Sequence, residues 1–140
     1  GMDLRDVVIR YRFSAFTLSP RQRLLIRDGQ EVPLIPRYFD LLLLLIERRQ
    51  EAVHRNEIFE RVWTDVTVSD SALSQAVRTL RRTLGDDHKE PRFIRTVSRH
   101  GYQFVFPDIV EEADDLSTIT RGPAPADATR AAEANGPPWG

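Results

Sequence analysis

Residues 70–84 read Asp70-Ser71-Ala72-Leu73-Ser74-Gln75-Ala76-Val77-Arg78-Thr79-Leu80-Arg81-Arg82-Thr83-Leu84. At about 100° per residue, the turn of an α-helix, Leu73, Ala76, Val77, Leu80 and Leu84 share one face, which must be core. The opposite face carries Ser71, Gln75, Arg78 and Arg82, with Ser74 and Thr79 on its flanks. Ser69 or Asp70 stands where an N-cap is needed. Gly85 stands where the left-handed residue after a helix is needed. No acid occurs from Ser71 to Leu84, although a solvated helix face ordinarily mixes signs to gain i,i+4 pairs.

Working outward from this helix predicts an α+β order. Pro36 is suited to the first turn of a helix, because its missing N–H would have no partner there. The run from Tyr38 to Ile46 that follows is apolar nearly all round and so predicts a buried helix. Arg55–Trp63 is a short amphipathic helix with Ile58, Phe59, Val62 and Trp63 inward, and 64–69 is a loop. Upstream, Val7, Ile9, Tyr11 and Phe13 alternate with charged residues, which is the period of a strand. Phe16–Leu18, Arg23–Arg27 and Glu31–Leu34 are further strands, the last two joined by the hairpin signal Asp28-Gly29. Downstream, Phe93–Val97 and Tyr102–Phe106 form a hairpin through Ser98-Arg99-His100-Gly101, with Gly101 expected to give the tip its flexible backbone. The expected order is a four-stranded antiparallel sheet, three helices and a terminal hairpin.

The chain has 140 residues, about one domain. It has no cysteine, so disulfides, a cysteine nucleophile and thiolate metal sites are excluded. Its longest wholly apolar run, Leu41–Ile46, is far below the ~20 residues of a membrane span, so no membrane contact is expected. No signal peptide is visible, because Arg5, Arg10 and Arg12 break up the start. The net charge of −1 hides an asymmetry: residues 1–106 carry a net of +4 and residues 107–140 a net of −5. Of the 20 cations 19 are Arg, the side chain suited to bidentate recognition of phosphate and guanine. Five of the nine prolines lie after Phe106 with few large apolar residues, so 107–140 reads as an acidic, Pro/Ala-rich disordered linker or tail. The expected organisation is an extension at 1–6, a folded domain at 7–106 and this tail.

The polar face of the helix at 70–84 suits the major groove of DNA. Short side chains allow close approach to base edges, Gln pairs with adenine, and Arg pairs with guanine or phosphate. The hairpin adds Arg95, Arg99 and His100, which suit a wing that reaches a minor groove or flanking phosphates. An enzyme is not expected. His54, His88 and His100 lack metal-ligand spacing, no glycine-rich phosphate loop occurs, and Ser69 and Ser71 have no histidine close by in sequence. Neither a metal nor a cofactor is expected. The competing expectation is an interaction module that binds protein and no specific DNA.

Several segments resemble the OmpR/PhoB-type winged-helix DNA-binding domain. They are Pro36–Leu42, Arg55–Trp63, Val68–Leu73, Leu80–Asp86 and Phe93–Phe104, over about residues 7–106. The spacing between them is also similar. The likeness is greatest to the CadC- and ToxR-like branch, in which the domain stands at the N-terminus. The resemblance implies a winged helix-turn-helix in a bacterial transcriptional regulator acting in signal transduction, cytoplasmic, with double-stranded DNA as partner. It implies that Ser71, Gln75, Arg78 and Thr79 face DNA from the recognition helix, with Arg81 and Arg82 near the backbone. It implies phosphate contact at Trp63 and Thr64, and wing contacts at Thr96, Ser98, Arg99, His100 and Tyr102. It further implies paired or tandem binding on DNA, and RNA polymerase contact through loop 64–69. The chain departs from the family pattern at four positions. Ile35 and His54 stand where the first two helices usually have Ser or Thr caps, and Ser98 and His100 stand where the wing often has arginine or proline.

Overall fold

The computed structural model describes residues 8–98 and 101–114. The polar spacing at the start of the chain produces a meander. β1 (Ile9–Phe13), β2 (Phe16–Ser19), β3 (Leu24–Arg27) and β4 (Gln30–Val32) each pair antiparallel with the next. The turn between β3 and β4 holds Asp28 at φ 51° and Gly29 at φ 83°. Two successive left-handed residues match the right-handed twist of the flanking strands, which is why this dipeptide closes hairpins. One face of the meander carries Phe13, Phe16, Leu18 and Leu25, all buried, and the Phe13 and Phe16 rings stack at 5.6 Å.

Among the described residues the sheet has five strands, because Ile109–Ala113 forms a further strand, β8, in the order β4-β3-β2-β1-β8. β8 (Ile109–Ala113) lies antiparallel to β1 and pairs Ile9 with Ala113 and Phe13 with Ile109. The expectation of a disordered tail from Pro107 therefore does not hold at its start. Glu112 accepts from Arg10 Nε at 2.6 Å and from Arg12 Nε at 3.2 Å. Asp114, buried just past the strand, accepts the Ser19 hydroxyl at 2.5 Å, and its N–H donates to the Val8 carbonyl at 2.6 Å. The physical reason is local: four of the seven acids after Phe106 fall within 108–114, where cations of the sheet can pair with them. Residues 115–140, the rest of the expected tail, lie outside the described residues.

The helical unit, residues 34–108, has α1 (Pro36–Glu47), α2 (Arg55–Val62) and α3 (Asp70–Leu84). α1 has no side-chain cap at Ile35, as its sequence implies, and buries Phe39, Leu41, Leu42, Leu44, Leu45 and Ile46. α2 is capped: His54 Nδ1 accepts the Asn56 N–H at 3.0 Å, so an imidazole does the work of the usual hydroxyl. α3 is capped by Ser69, whose hydroxyl accepts the Ala72 N–H at 3.3 Å. It closes in a Schellman motif, in which the Gly85 N–H reaches the Arg82 carbonyl and the Asp86 N–H reaches the Arg81 carbonyl. Leu73, Ala76, Val77, Leu80 and Leu84 are its buried residues, the five that the periodicity places on the core face.

A sheet of three strands, Val53–His54, Gly101–Phe104 and Ile94–Val97 in that order across it, completes the described part of this unit. β6 (Ile94–Val97) and β7 (Gly101–Phe104) are the expected hairpin, and β5 (Val53–His54) pairs with β7. Among the described residues of the hairpin Ser98 is left-handed, at φ 52°. Gly101 serves a different purpose from the flexibility expected of it. A Cβ there would stand 2.2 Å from the Val53 carbonyl oxygen, so the close pass of β5 requires glycine. Phe93 and Phe104 are buried, and Phe106 stacks on Phe93 at 5.0 Å.

Candidate nucleic-acid interface

α3 and the hairpin strand β6 lie side by side in the helical unit, and two depressions run between them. The smaller, about 230 Å³, is lined by Arg55, Asp70, Ser74, Thr96, Ser98 and Tyr102 among others. The larger, about 700 Å³, brings Arg78, Arg82 and His88 to Ser74, Thr96 and Tyr102. Residues from two separate stretches of the sequence thus form one strip.

The outer face of α3 is built as its periodicity requires. Ser71, Ser74, Gln75, Arg78 and Arg82 are exposed, and Thr79 is half-buried. Among the described residues, the side chains of Arg78 and Arg82 have no hydrogen-bond or ion-pair partner. Two exposed guanidinium groups therefore stand on the helix beside the hairpin strand. Ser71 shares a hydroxyl contact of 3.0 Å with Ser69 at the cap. Thr96 and Ser98 are exposed on the hairpin, and Tyr102 is half-buried. Arg99 and His100 lie outside the described residues.

Two expected contacts are placed differently. Trp63 is 8% exposed and sets its ring edge-on to Phe59 at 6.2 Å, so most of the indole is core. The apolar ring outweighs its polar N–H in deciding where the residue sits. Thr64 beside it is exposed. Arg81 is turned to the hairpin: its guanidinium donates to the Ile94 carbonyl at 3.2 and 3.1 Å and to the Thr96 hydroxyl at 2.8 Å. Arg81 and Thr96, both expected at DNA, are bonded to each other.

Two residues that sequence reasoning leaves out belong to this surface. Arg55, the first residue of α2, reaches the smaller depression and lies 3.4 Å from Asp70. A cation at a helix start is too common for its spacing alone to single it out. Asp86 accepts from the backbone N–H groups of Arg92, Phe93 and Ile94, at 2.7 to 3.3 Å. In sequence it is one of a pair of loop acids, and its partners lie six to eight residues on. Loop 64–69 is tied at one end, because Arg37 donates to the Val62 carbonyl and to Asp65, each at 3.0 Å. That guanidinium holds the Asp65 carboxyl below the usual carboxylate range.

The family described as "Transcriptional regulatory protein, C terminal" matches residues 29–104, more than half of the 140. The chain belongs to this family, the OmpR/PhoB-type DNA-binding domains. The cholera toxin homolog transcriptional activator of Vibrio parahaemolyticus is 44% identical over 80 residues, 56% of this chain and 27% of the relative. The transcriptional activator CadC of Escherichia coli is 29% identical over 118 residues, 81% of this chain and 23% of CadC. This OmpR/PhoB-type chain therefore spans about a quarter of the length of these relatives. Among solved structures, the RstA DNA-binding domain of Klebsiella pneumoniae in complex with the RstA box is similar at a TM-score of 0.62 and 28% identity. That match covers 70% of this chain and 98% of the RstA domain. The winged helix-turn-helix architecture of the OmpR/PhoB-type domain is thus found here, with β8 making its first sheet five-stranded. No helix among the described residues is long and apolar enough to cross a membrane.

Proposed function

We propose that this domain binds double-stranded DNA in a sequence-specific way, as the DNA-binding part of a bacterial transcriptional regulator. α3 enters the major groove, where Ser71, Ser74, Gln75, Arg78 and Thr79 meet base edges. Arg82, Arg55, Thr64 and Trp63 meet phosphates. The wing at 98–101, with Thr96, Ser98, Arg99, His100 and Tyr102, meets the minor groove or the flanking backbone.

The observation that carries this reading is the outer face of α3, free of acids from Ser71 onward, with Arg78 and Arg82 exposed beside the hairpin strand and unpaired among the described residues. Burying these two guanidinium groups against an anion forms charge-assisted hydrogen bonds. A protein partner would need apolar anchors at the centre of the contact, and this face offers hydroxyls, an amide and guanidinium groups. A single module has a small contact area, so the domain binds paired or tandem sites to gain affinity. Loop 64–69, tied by Arg37, is the surface offered to RNA polymerase. The DNA-binding domain extends through Asp114, the segment 115–140 is a linker or tail, and the regulator works in the cytoplasm.

A mobility-shift titration against duplex DNA across a salt series tests the reading. Affinity falls steeply with salt if Lys and Arg release counterions from phosphates. A flat or absent response overturns it in favour of a protein-interaction module.

A further inference from the structure

The last turn of α3 holds the start of β6 by polar bonds at both ends of one residue. The Ile94 N–H donates to Asp86 Oδ2 at 2.8 Å, and the Ile94 carbonyl accepts from Arg81 at 3.1 and 3.2 Å. Two residues along the strand, the Thr96 hydroxyl accepts from the same guanidinium at 2.8 Å. Arg92 and Phe93 add their N–H groups to Asp86. The strand cannot slide along the helix without breaking these bonds together, and each involves a charged group.

The sign of Asp86 supports a purpose beyond its own helix. It follows the C-terminus of α3, where the helix dipole disfavours an anion and where Arg81 and Arg82 have the favoured sign. A carboxylate kept at that end is explained by what it holds. The strand it holds leads directly to the wing.

We propose that Asp86 and Arg81 are positioning residues for DNA recognition: together they fix β6, the strand that leads into the wing, at one setting relative to α3, so that the two elements meet the duplex in a fixed register. This rests on the DNA-binding reading above. A fixed spacing lets the major-groove contacts and the wing contacts form at once without ordering cost at binding. It also penalises duplexes whose groove geometry does not fit that spacing.

The test uses the 140-residue chain and a random-sequence duplex library, from which the parent enriches a preferred duplex. Asp86→Asn keeps the size of the side chain and leaves one oxygen to accept in place of two. Its expected binding to that duplex is roughly tenfold weaker, the scale of one lost charge-assisted hydrogen bond. Its salt slope is shallower by about one phosphate contact. In ethylation interference the loss is confined to the phosphates on the wing side, and base preferences under α3 are unchanged. A purely structural role would lower the folded fraction and scale down all contacts alike. In the free protein, the Ile94 amide exchanges faster in the variant while amides in the middle of α3 do not. Arg81→Lys, which keeps the charge and loses the planar fork, shows the same split and serves if Asp86→Asn does not fold. A folded variant with the parent's interference pattern and salt slope overturns the proposal alone. A parent chain that enriches no duplex overturns the DNA-binding reading and this one with it.

Discussion

Gly101 and Val53 pass so closely that a Cβ on Gly101 would stand 2.2 Å from the Val53 carbonyl oxygen and 2.9 Å from its carbon. Both obstacles are backbone, held by the β5–β7 pairing of His54 with Gly101, so no side chain can swing aside. Gly101→Ala is therefore expected to destabilise the fold by about 1–3 kcal/mol, the cost of forcing extra volume into a packed site. Urea unfolding followed by circular dichroism measures it. A variant with the parent's midpoint would mean that β5 lies farther from the wing than described.

α3 should tolerate loss of its outer face and not of its inner face. Arg78→Ala removes an exposed cation that has no partner among the described residues and is expected to leave the unfolding free energy within about 0.5 kcal/mol of the parent. The same variant is expected to lose specific DNA binding. Leu80→Ala, at a fully buried position, is expected to cost about 2–5 kcal/mol. If Arg78→Ala binds the preferred duplex as tightly as the parent, the assignment of the outer face is wrong.

What could be read from the sequence, and what could not, follows the range of the interactions. The two faces of α3, the cap at Ser69, the left-handed Gly85 and the Asp28-Gly29 turn are all set by residues within four positions of each other. Periodicity and cap chemistry are local, so they survive without a partner. β8 was hidden because its five residues are averaged into a Pro- and Ala-rich stretch and its partners lie about 100 positions away, as in the pair Arg10–Glu112. β5 has two residues and exists only through its pairing with β7. At the site, the exposed face was legible and the bonds were not. Arg81 lies beside the polar face by angle, and only the nearby β6 strand turns its long side chain away from solvent. Trp63 was expected at phosphate, and its place in the apolar core depends on rings that the local pattern does not locate.

His54 caps α2 with a ring nitrogen, through an N–H···N bond of 3.0 Å from Asn56. His54→Ala is expected to cost about 1 kcal/mol, as for other N-cap truncations. His54→Ser restores most of this, because a hydroxyl accepts from the same end of the helix. Denaturant midpoints of the two variants check it. Equal midpoints for Ala and Ser would show that the cap contributes nothing and that the imidazole matters through its other contacts.

β8 should loosen in acid. The Arg10 guanidinium, through its hydrogen bond, holds the Glu112 carboxyl below the usual carboxylate range; burial works against this shift, and Arg12 adds to it. A carboxyl with its folded pKa lowered contributes stability that is present above its unfolded value, about 4.3, and is lost as pH falls through the folded value. Amides of β8 should therefore exchange faster, relative to those of β2, as pH is lowered through that window, after correction for intrinsic rates. Glu112→Gln removes the charge at every pH. It is expected to lower stability at neutral pH and to flatten the pH dependence of β8 exchange. If the Gln variant keeps the parent's pH dependence, the Arg10–Glu112 pair does not govern the loosening of the strand.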